Sequence, residues 1–357
     1  MKRINENFID LTLEISRGCS HACSGCTVDR YANQFPTDAE FDRIINMLKD
    51  AESNNFIAAN LSIGPTDILA SENREECLTH PKIKELTTVC NKLALQCAFL
   101  NPKPEEYEWL ADRVNDLIPG GLLKIAVPFE VKHVNNIKYI ETVKNRIKYF
   151  ESLLKDITIT RIYSVINFEE TINSSKTGDE YLTSDVLKAI HSIDLHPTHH
   201  LDYALPFGRK DISDPVIKES FLKTIKIFNL IMPRTQALVD EDGINIYDLN
   251  DFQIDEGTDW NIVYHNGNLY RSAFLNEPFV SFDPRFKLSD DWSFASIQQQ
   301  EHESEVAQYI YAQQTEDCVS CQFLSTCVTR NLLSVMEVMD TKQCLSMLPA
   351  RPNNFHW

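Results

Sequence analysis

The feature that most constrains the fold is an alternation, from residue 10 to about 233, of short β-rich runs with segments of helical apolar spacing. Six such runs predict an α/β fold whose parallel strands are joined by right-handed crossovers and whose ligands bind at the C-terminal strand ends. The β-rich runs are Leu11–Ile15, Asn60–Ile63, Leu93–Leu100, Leu122–Val127, Ile157–Val165 and His200–Leu205. The helical segments are 37–51, which Thr37 or Asp38 could cap, 105–118, 135–155, 184–192 and 215–231.

The pattern changes after about residue 234. The Asn266-Gly267 pair lies between the β-like runs Ile262–Tyr264 and Leu269–Tyr270, which is typical of a hairpin with a two-residue turn. A polar helix is predicted over 294–314. We therefore predict two domains, 1–233 and 234–357, the second smaller and of α+β type.

Charge and hydropathy exclude two classes of partner. With 34 basic and 52 acidic residues the formal net charge is −18, and such a surface repels the phosphates of nucleic acid. No apolar run approaches the roughly 20 residues that span a bilayer, and no signal peptide is recognisable. We expect a cytoplasmic protein, whose cysteines then serve as metal ligands or catalysts more often than as disulfides.

Three cysteines follow the first β-rich run with spacings of three and two residues: Cys19, Cys23 and Cys26. Three thiolates in one loop can bind three irons of a 4Fe–4S cluster and leave the fourth iron open to an external ligand. The alternative is a zinc knuckle, which needs four tetrahedral ligands, and His21 is the nearest candidate for the fourth.

This cysteine loop resembles that of the radical SAM superfamily. The resemblance implies a partial (β/α)6 barrel of the TIM type, S-adenosylmethionine bound to the open iron, and its reductive cleavage to a 5′-deoxyadenosyl radical. It also implies a flavodoxin- or ferredoxin-type electron donor. The family usually has an aromatic residue just before the third cysteine, where this chain has Gly25.

Further cofactor-binding residues are expected at later strand ends. The segment Ser62-Ile-Gly64-Pro65-Thr66-Asp67 stands where the family often has a Gly-Gly-Glu-Pro-like segment, so the resemblance implies that Gly64 and Asp67 hold the amino group of the cofactor and that Thr66 is a further cofactor-binding residue. The same residues also make an ordinary turn. Ser164, Asn167 and Arg209 follow the fifth and sixth strands and could bind the carboxylate of the cofactor or the substrate, or be solvated loop residues.

A second group of cysteines lies near the C-terminus: Cys318, Cys321, Cys327 and Cys344. Four thiolates make a closed site that suits zinc or iron–sulfur. The two-then-five spacing resembles the SPASM extension of many radical SAM enzymes, which implies one auxiliary 4Fe–4S cluster here. A second auxiliary cluster is not expected, because the positions of its ligands hold Tyr270-Arg271-Ser272 and Asn331.

Cys97 is a candidate hydrogen donor, because it lies in an apolar strand whose end should face the barrel mouth. A buried core thiol is the alternative interpretation. By analogy with SPASM-bearing enzymes we predict a peptide substrate, modified by a crosslink, a thioether, epimerisation or oxidation. The alternatives are a radical enzyme acting on a small molecule such as an aminosugar or nucleoside, and a non-catalytic iron–sulfur or zinc protein. Because the chain begins almost at its first strand, a separate leader-peptide-binding protein or the barrel's own surface would capture a peptide.

Overall fold

The structure, a computed structural model, describes residues 7–21, 33–90, 92–130, 133, 136–167, 193–204, 260–272 and 287–303. Its strands are β1 (Asn7–Glu14), β2 (Phe56–Gly64), β3 (Lys92–Gln96), β4 (Leu122–Glu130), β5 (Thr158–Asn167), β6 (His199–Ala204), β7 (Trp260–His265) and β8 (Asn268–Ser272). Its helices are α1 (Asp38–Ser53), α2 (Arg74–Thr79), α3 (Pro81–Val89), α4 (Pro104–Leu117), α5 (Ile137–Ser152) and α6 (Phe294–Glu303), with a 3-10 turn over Ile68–Ala70.

All eight strands form one sheet, in the order β6-β5-β4-β3-β2-β1-β7-β8. The first six strands are parallel and lie side by side in chain order. The order of the strands therefore runs in one direction across the sheet. In a doubly wound sheet the strand order reverses at one point, whereas in a (β/α) barrel with its helices outside it does not. The predicted α/β fold with a partial TIM-type barrel is therefore confirmed, whereas the four cysteines of the predicted C-terminal iron–sulfur domain lie outside the described residues.

The two faces of the sheet differ in chemistry. On β1 the alternate residues Leu11 and Leu13 are fully buried and belong to one core with the apolar faces of α1, α3 and α4. Asp10, Thr12 and Glu14 point to the opposite face, because successive side chains of a strand alternate. The helices therefore cover an apolar outer face, and the inner face is lined by polar groups.

Helix α1 begins where the sequence indicates. The Thr37 hydroxyl accepts a hydrogen bond from the backbone N–H of Glu40, and the Glu40 carboxylate accepts one from the N–H of Thr37. This reciprocal capping box satisfies two donors at the start of the helix. Helices α2 and α3 were not predicted, and α3 begins with Pro81 at its first turn, where the missing N–H of proline costs nothing.

The hairpin predicted at Asn266-Gly267 is present, and it extends the main sheet. Both turn residues have positive φ, 47° and 77°, as a two-residue hairpin turn requires. Strand β7 pairs with β1 in parallel and with β8 in antiparallel fashion. The first part of the predicted polar helix is α6; the predicted helices at 184–192 and 215–231 lie outside the described residues. In the described part of the chain, no helix is long and apolar enough to cross a membrane.

Candidate functional site

The segment that leads from β1 to Cys19 lies against the segment that follows β2. The backbone N–H groups of Ile15 and Ser16 both donate to the Gly64 carbonyl at 2.9 Å, and the N–H of Ser20 donates to the Ala70 carbonyl at 3.2 Å. Because the C-terminal ends of neighbouring parallel strands meet at one edge, the two loops are brought together at the mouth of the barrel. Cys19 therefore begins the cysteine loop at that mouth.

The side-chain amide of Asn73 binds the backbone of the segment between β1 and Cys19. Its amide nitrogen donates to the Ile15 carbonyl at 2.9 Å, and its amide oxygen accepts from the backbone N–H of Arg17 at 3.0 Å. The backbone N–H of Glu72 donates to the Arg17 carbonyl at 2.9 Å. The sequence analysis missed Asn73, and its position just before a short helix was the only local signal.

The residue before Cys19 must be glycine. Gly18 has a φ of +69°, a backbone conformation that residues other than glycine rarely adopt. A Cβ atom at this position would also overlap the side chain of Glu72. The close approach of the two loops therefore depends on the absence of a side chain at residue 18.

A buried cluster of hydroxyl groups joins the two strand ends. The hydroxyl of Thr66, a residue that is 4% exposed, donates to the Ser16 hydroxyl at 2.8 Å, and its backbone N–H donates there at 3.0 Å. The Thr66 hydroxyl also contacts that of Ser71, which in turn donates to the Asp67 carbonyl at 2.9 Å. Thr66, predicted as a cofactor contact, thus has its hydroxyl engaged within the protein.

The Asp67 carboxylate is the most highly connected polar group at this edge. One oxygen accepts from the backbone N–H groups of Leu69 at 2.8 Å and Ala70 at 3.3 Å, which caps the 3-10 turn. The other accepts from the N–H of Ala98 at 2.6 Å and lies 3.3 Å from Nε2 of His21. Asp67 thereby ties the end of β2 to the end of β3 and to the cysteine loop, while its predicted contact with the cofactor's amino group stays a prediction.

The described part of the site fits an iron–sulfur cluster with a further ligand beside it. The Cys19 side chain is of intermediate exposure, so a ligand can reach it from the mouth of the barrel. Among the described residues, a Cβ atom built on Gly64 would meet nothing within 4 Å, which leaves room beside this strand end. Cys23 and Cys26 lie outside the described residues, as do Arg209 and the four cysteines of the second group: Cys318, Cys321, Cys327 and Cys344.

Cys97 follows β3 and is 1% exposed. Burial, with a smaller contribution from the charge of Asp67, raises the pKa of this thiol well above its ordinary value. The thiol therefore stays protonated at neutral pH, which a hydrogen-atom donor and an inert core thiol both require. Its role as a donor stays a prediction.

Ser164 and Asn167 both lie on β5. The Ser164 side chain is fully buried, and its hydroxyl lies 2.8 Å from Nε2 of His199, whose Nδ1 lies 2.8 Å from the Ile193 carbonyl. In neutral His199, Nδ1 must donate to that carbonyl, so the Ser164 hydroxyl donates to Nε2. Ser164 is paired in register with Val127, a residue of the core, so Ser164 lies on the outer face of the sheet. Asn167 is the last residue of β5. Their predicted ligand contacts stay predictions.

The inner face near the mouth carries a contact between a histidine and a carboxylate that the sequence did not indicate. Nδ1 of His265, at the end of β7, lies 3.4 Å from a carboxylate oxygen of Glu14, at the end of β1. Their side chains are 13% and 14% exposed. Because Glu14 is level with Gly64 in the sheet, this contact lies at the same strand ends as the segment that leads to Cys19.

The fold is shared with solved structures of one protein in several complexes. The structure described as native anSMEcpe with bound AdoMet has a TM-score of 0.52 at 11% identity, covering 95% of this chain and 99% of that one. The same protein with bound AdoMet and Cp18Cys peptide has a TM-score of 0.50 at 11% identity, covering 95% and 99%. With Kp18Cys peptide the TM-score is 0.52 at 12% identity, again covering 95% and 99%. No protein-family model matches the chain, and neither does any curated protein.

Proposed function

We propose that the chain is a radical SAM enzyme in which Cys19, Cys23 and Cys26 hold a 4Fe–4S cluster. The observation that carries the proposal is the place of the triad: its first cysteine follows directly on β1, at the mouth of a parallel (β/α) barrel. Three cysteines leave one iron free for S-adenosylmethionine, and the neighbours of the same fold contain bound AdoMet. When bound, the cluster and cofactor supply the reductive cleavage that yields a 5′-deoxyadenosyl radical.

The chain's own residues prepare the site for these groups. Gly18 lets the loop approach Glu72, the hydroxyl cluster around Thr66 fixes the β1 and β2 ends, and Asp67 anchors His21. Within the hydroxyl cluster the contacts are made by Ser16, Thr66 and Ser71, whose short side chains lose little rotamer entropy when they are fixed. Cys19 is therefore held in position before any ligand binds, as precise metal ligation requires.

A peptide is the substrate class that we favour. One neighbour of the same fold is described with a bound peptide, and the inner face of this barrel is lined by polar groups suited to a polar ligand. The acidic charge of the chain argues against nucleic acid. We further propose a flavodoxin- or ferredoxin-type electron donor, a separate leader-peptide-binding protein and a cytoplasmic location.

The experiment that tests this function follows hydrogen transfer from substrate to cofactor. The reconstituted protein is reduced with S-adenosylmethionine and deuterated candidate peptides under anaerobic conditions, and 5′-deoxyadenosine is examined by mass spectrometry. Deuterium in 5′-deoxyadenosine supports a radical enzyme acting on that peptide. Label only from an aminosugar or nucleoside would move the substrate to small molecules, and no 5′-deoxyadenosine at all would support a non-catalytic metal protein.

The C-terminal cysteines are proposed to hold one auxiliary 4Fe–4S cluster. Anaerobic reconstitution is then expected to give about eight irons per chain, and a Cys318→Ala/Cys321→Ala variant about four. Iron and zinc analysis of both proteins makes the measurement. Zinc in the wild-type protein that is lost from the variant would replace the auxiliary cluster by a structural zinc site.

A further inference from the structure

Three basic side chains lie on the inner face of neighbouring strands. Lys92 begins β3, Lys124 lies near the start of β4, and Arg161 lies on β5 directly beside Lys124 in register. The residues next to each of them, Leu93, Leu123, Ile125 and Ile162, belong to the core that packs against the helices. By alternation the three cations therefore face the interior of the barrel. We refer to Lys92, Lys124 and Arg161 as the cation cluster.

Within the cation cluster, Lys124 experiences repulsion from the other two positive charges. Burial lowers the pKa of Lys124, and the charges of Lys92 and Arg161 lower it further, whereas the charge of Asp10 raises it. In the part of the chain that the structure describes, the Lys124 ammonium makes no hydrogen bond and no ion pair. The whole chain carries a net charge of −18, so basic residues are outnumbered by acidic ones. The composition of the chain therefore does not explain why three basic residues lie together inside the barrel.

A second unsatisfied group lies beside the cation cluster. Asn60, level with Lys92 in the sheet, is 7% exposed; its amide nitrogen donates to the Asp10 carboxylate. The amide oxygen of Asn60 is buried and has no hydrogen-bond partner among the described residues. Buried polar groups are nearly always paired with protein or ligand, or with ordered water. Among the described residues, this oxygen therefore leaves a hydrogen-bond acceptor open to a polar ligand or water at this level of the barrel.

The cation cluster lies within reach of the mouth. Lys124 is level with Ala94, Ser62 and Thr12 in the sheet, and Gly64 and Glu14 lie two residues further along their strands. Two residues of a strand span about 7 Å. A ligand at the mouth could thus extend a short side chain or terminal group down to Lys124.

We propose that the cation cluster binds an anionic group of the substrate, a carboxylate or a phosphate, which enters the barrel from the mouth that bears the cysteine loop. The proposal rests on the proposed function for the identity of the substrate site. For a peptide, the group is an acidic side chain or the C-terminal carboxylate. Arg161 offers the planar donor fork that suits either oxyanion, and the two lysines add positive charge.

The test measures anion binding by the full-length reconstituted protein in the absence of S-adenosylmethionine. Inorganic phosphate and acetate are titrated separately by isothermal calorimetry at constant ionic strength, which distinguishes the two oxyanion classes. A Lys124→Gln variant is expected to bind the preferred anion at least about tenfold more weakly, because it loses a charge-assisted hydrogen bond. A Lys138→Gln variant, which makes the same charge change on the exposed surface of α5, is the matched control and should bind like the wild type.

Thermal unfolding separates a binding site from a structural one. Without added anion, Lys124→Gln is expected to melt at a higher temperature than the wild type, because like-charge repulsion is relieved. A lower melting temperature together with unchanged anion affinity would show that the cation cluster only stabilises the fold, and would overturn the proposal. Equal binding of both anions by wild type and Lys124→Gln would overturn it as well. Neither measurement involves cofactor cleavage, so a failure here is distinct from a failure to produce 5′-deoxyadenosine.

Discussion

A Cys19→Ala variant is expected to produce no 5′-deoxyadenosine when it is reduced in the presence of S-adenosylmethionine. Loss of one of three thiolates leaves the proposed cluster with two protein ligands, too few to retain the fourth iron as an open binding site. The iron content is expected to fall from about eight to about four per chain, because the C-terminal site is independent of the first. Chromatography of the reaction and iron analysis of the same sample measure the two effects.

Cys77→Ala is the matched control, since it also removes one thiol. Cys77 is fully buried in the core, and burial raises the pKa of its thiol to about 12, so it is a poor metal ligand. This variant should keep both its iron and its cofactor cleavage. Persistent cleavage by Cys19→Ala would refute the role proposed for the cysteine triad.

The parts of the fold that follow from local sequence were predictable. Helix α1 begins at its capping box because Thr37 and Glu40 stand three residues apart, and the β7–β8 turn needs the positive φ that Asn266 and Gly267 tolerate. The alternation of strands and helices likewise determined the parallel order of β1 to β6. For the helix start and the hairpin turn, the decisive contacts lie within a few residues in the sequence, and the strand order follows from the short connections of successive strand–helix units.

The parts that depend on distant contacts were not predictable. Asn73 holds a segment 56 residues away, and β7 joins β1 across about 250 residues of chain, so no local pattern reports either contact. Helices α2 and α3 have only a few turns each. An apolar stripe reveals the helical repeat only over a longer segment, so the sequence did not predict these two helices. The cation cluster was missed for a related reason: its members are isolated basic residues in sequence and become neighbours only in the sheet.

Asp67→Asn is expected to destabilise the protein even when no cofactor is present. The carboxylate accepts from three backbone N–H groups and pairs with His21, and Ala98, whose N–H is one of the donors, is 2% exposed. The amide of asparagine would turn an N–H donor toward the N–H of Ala98 or toward the 3-10 turn, leaving a buried donor unpaired. We expect a loss of about 3 kcal/mol of unfolding free energy and a melting temperature about 4 °C lower. Circular dichroism during heating makes the measurement.

The same variant distinguishes two roles for Asp67. If the carboxylate mainly anchors the cysteine loop through His21, Asp67→Asn should retain less iron at the first site as well as melt earlier. If instead it mainly binds the amino group of the cofactor, the variant should melt like the wild type without S-adenosylmethionine and bind the cofactor more weakly. Asp50→Asn, an exposed position on α1, makes the same chemical change and should alter neither melting nor iron content. Because four protein donors already surround the carboxylate, we expect the first outcome.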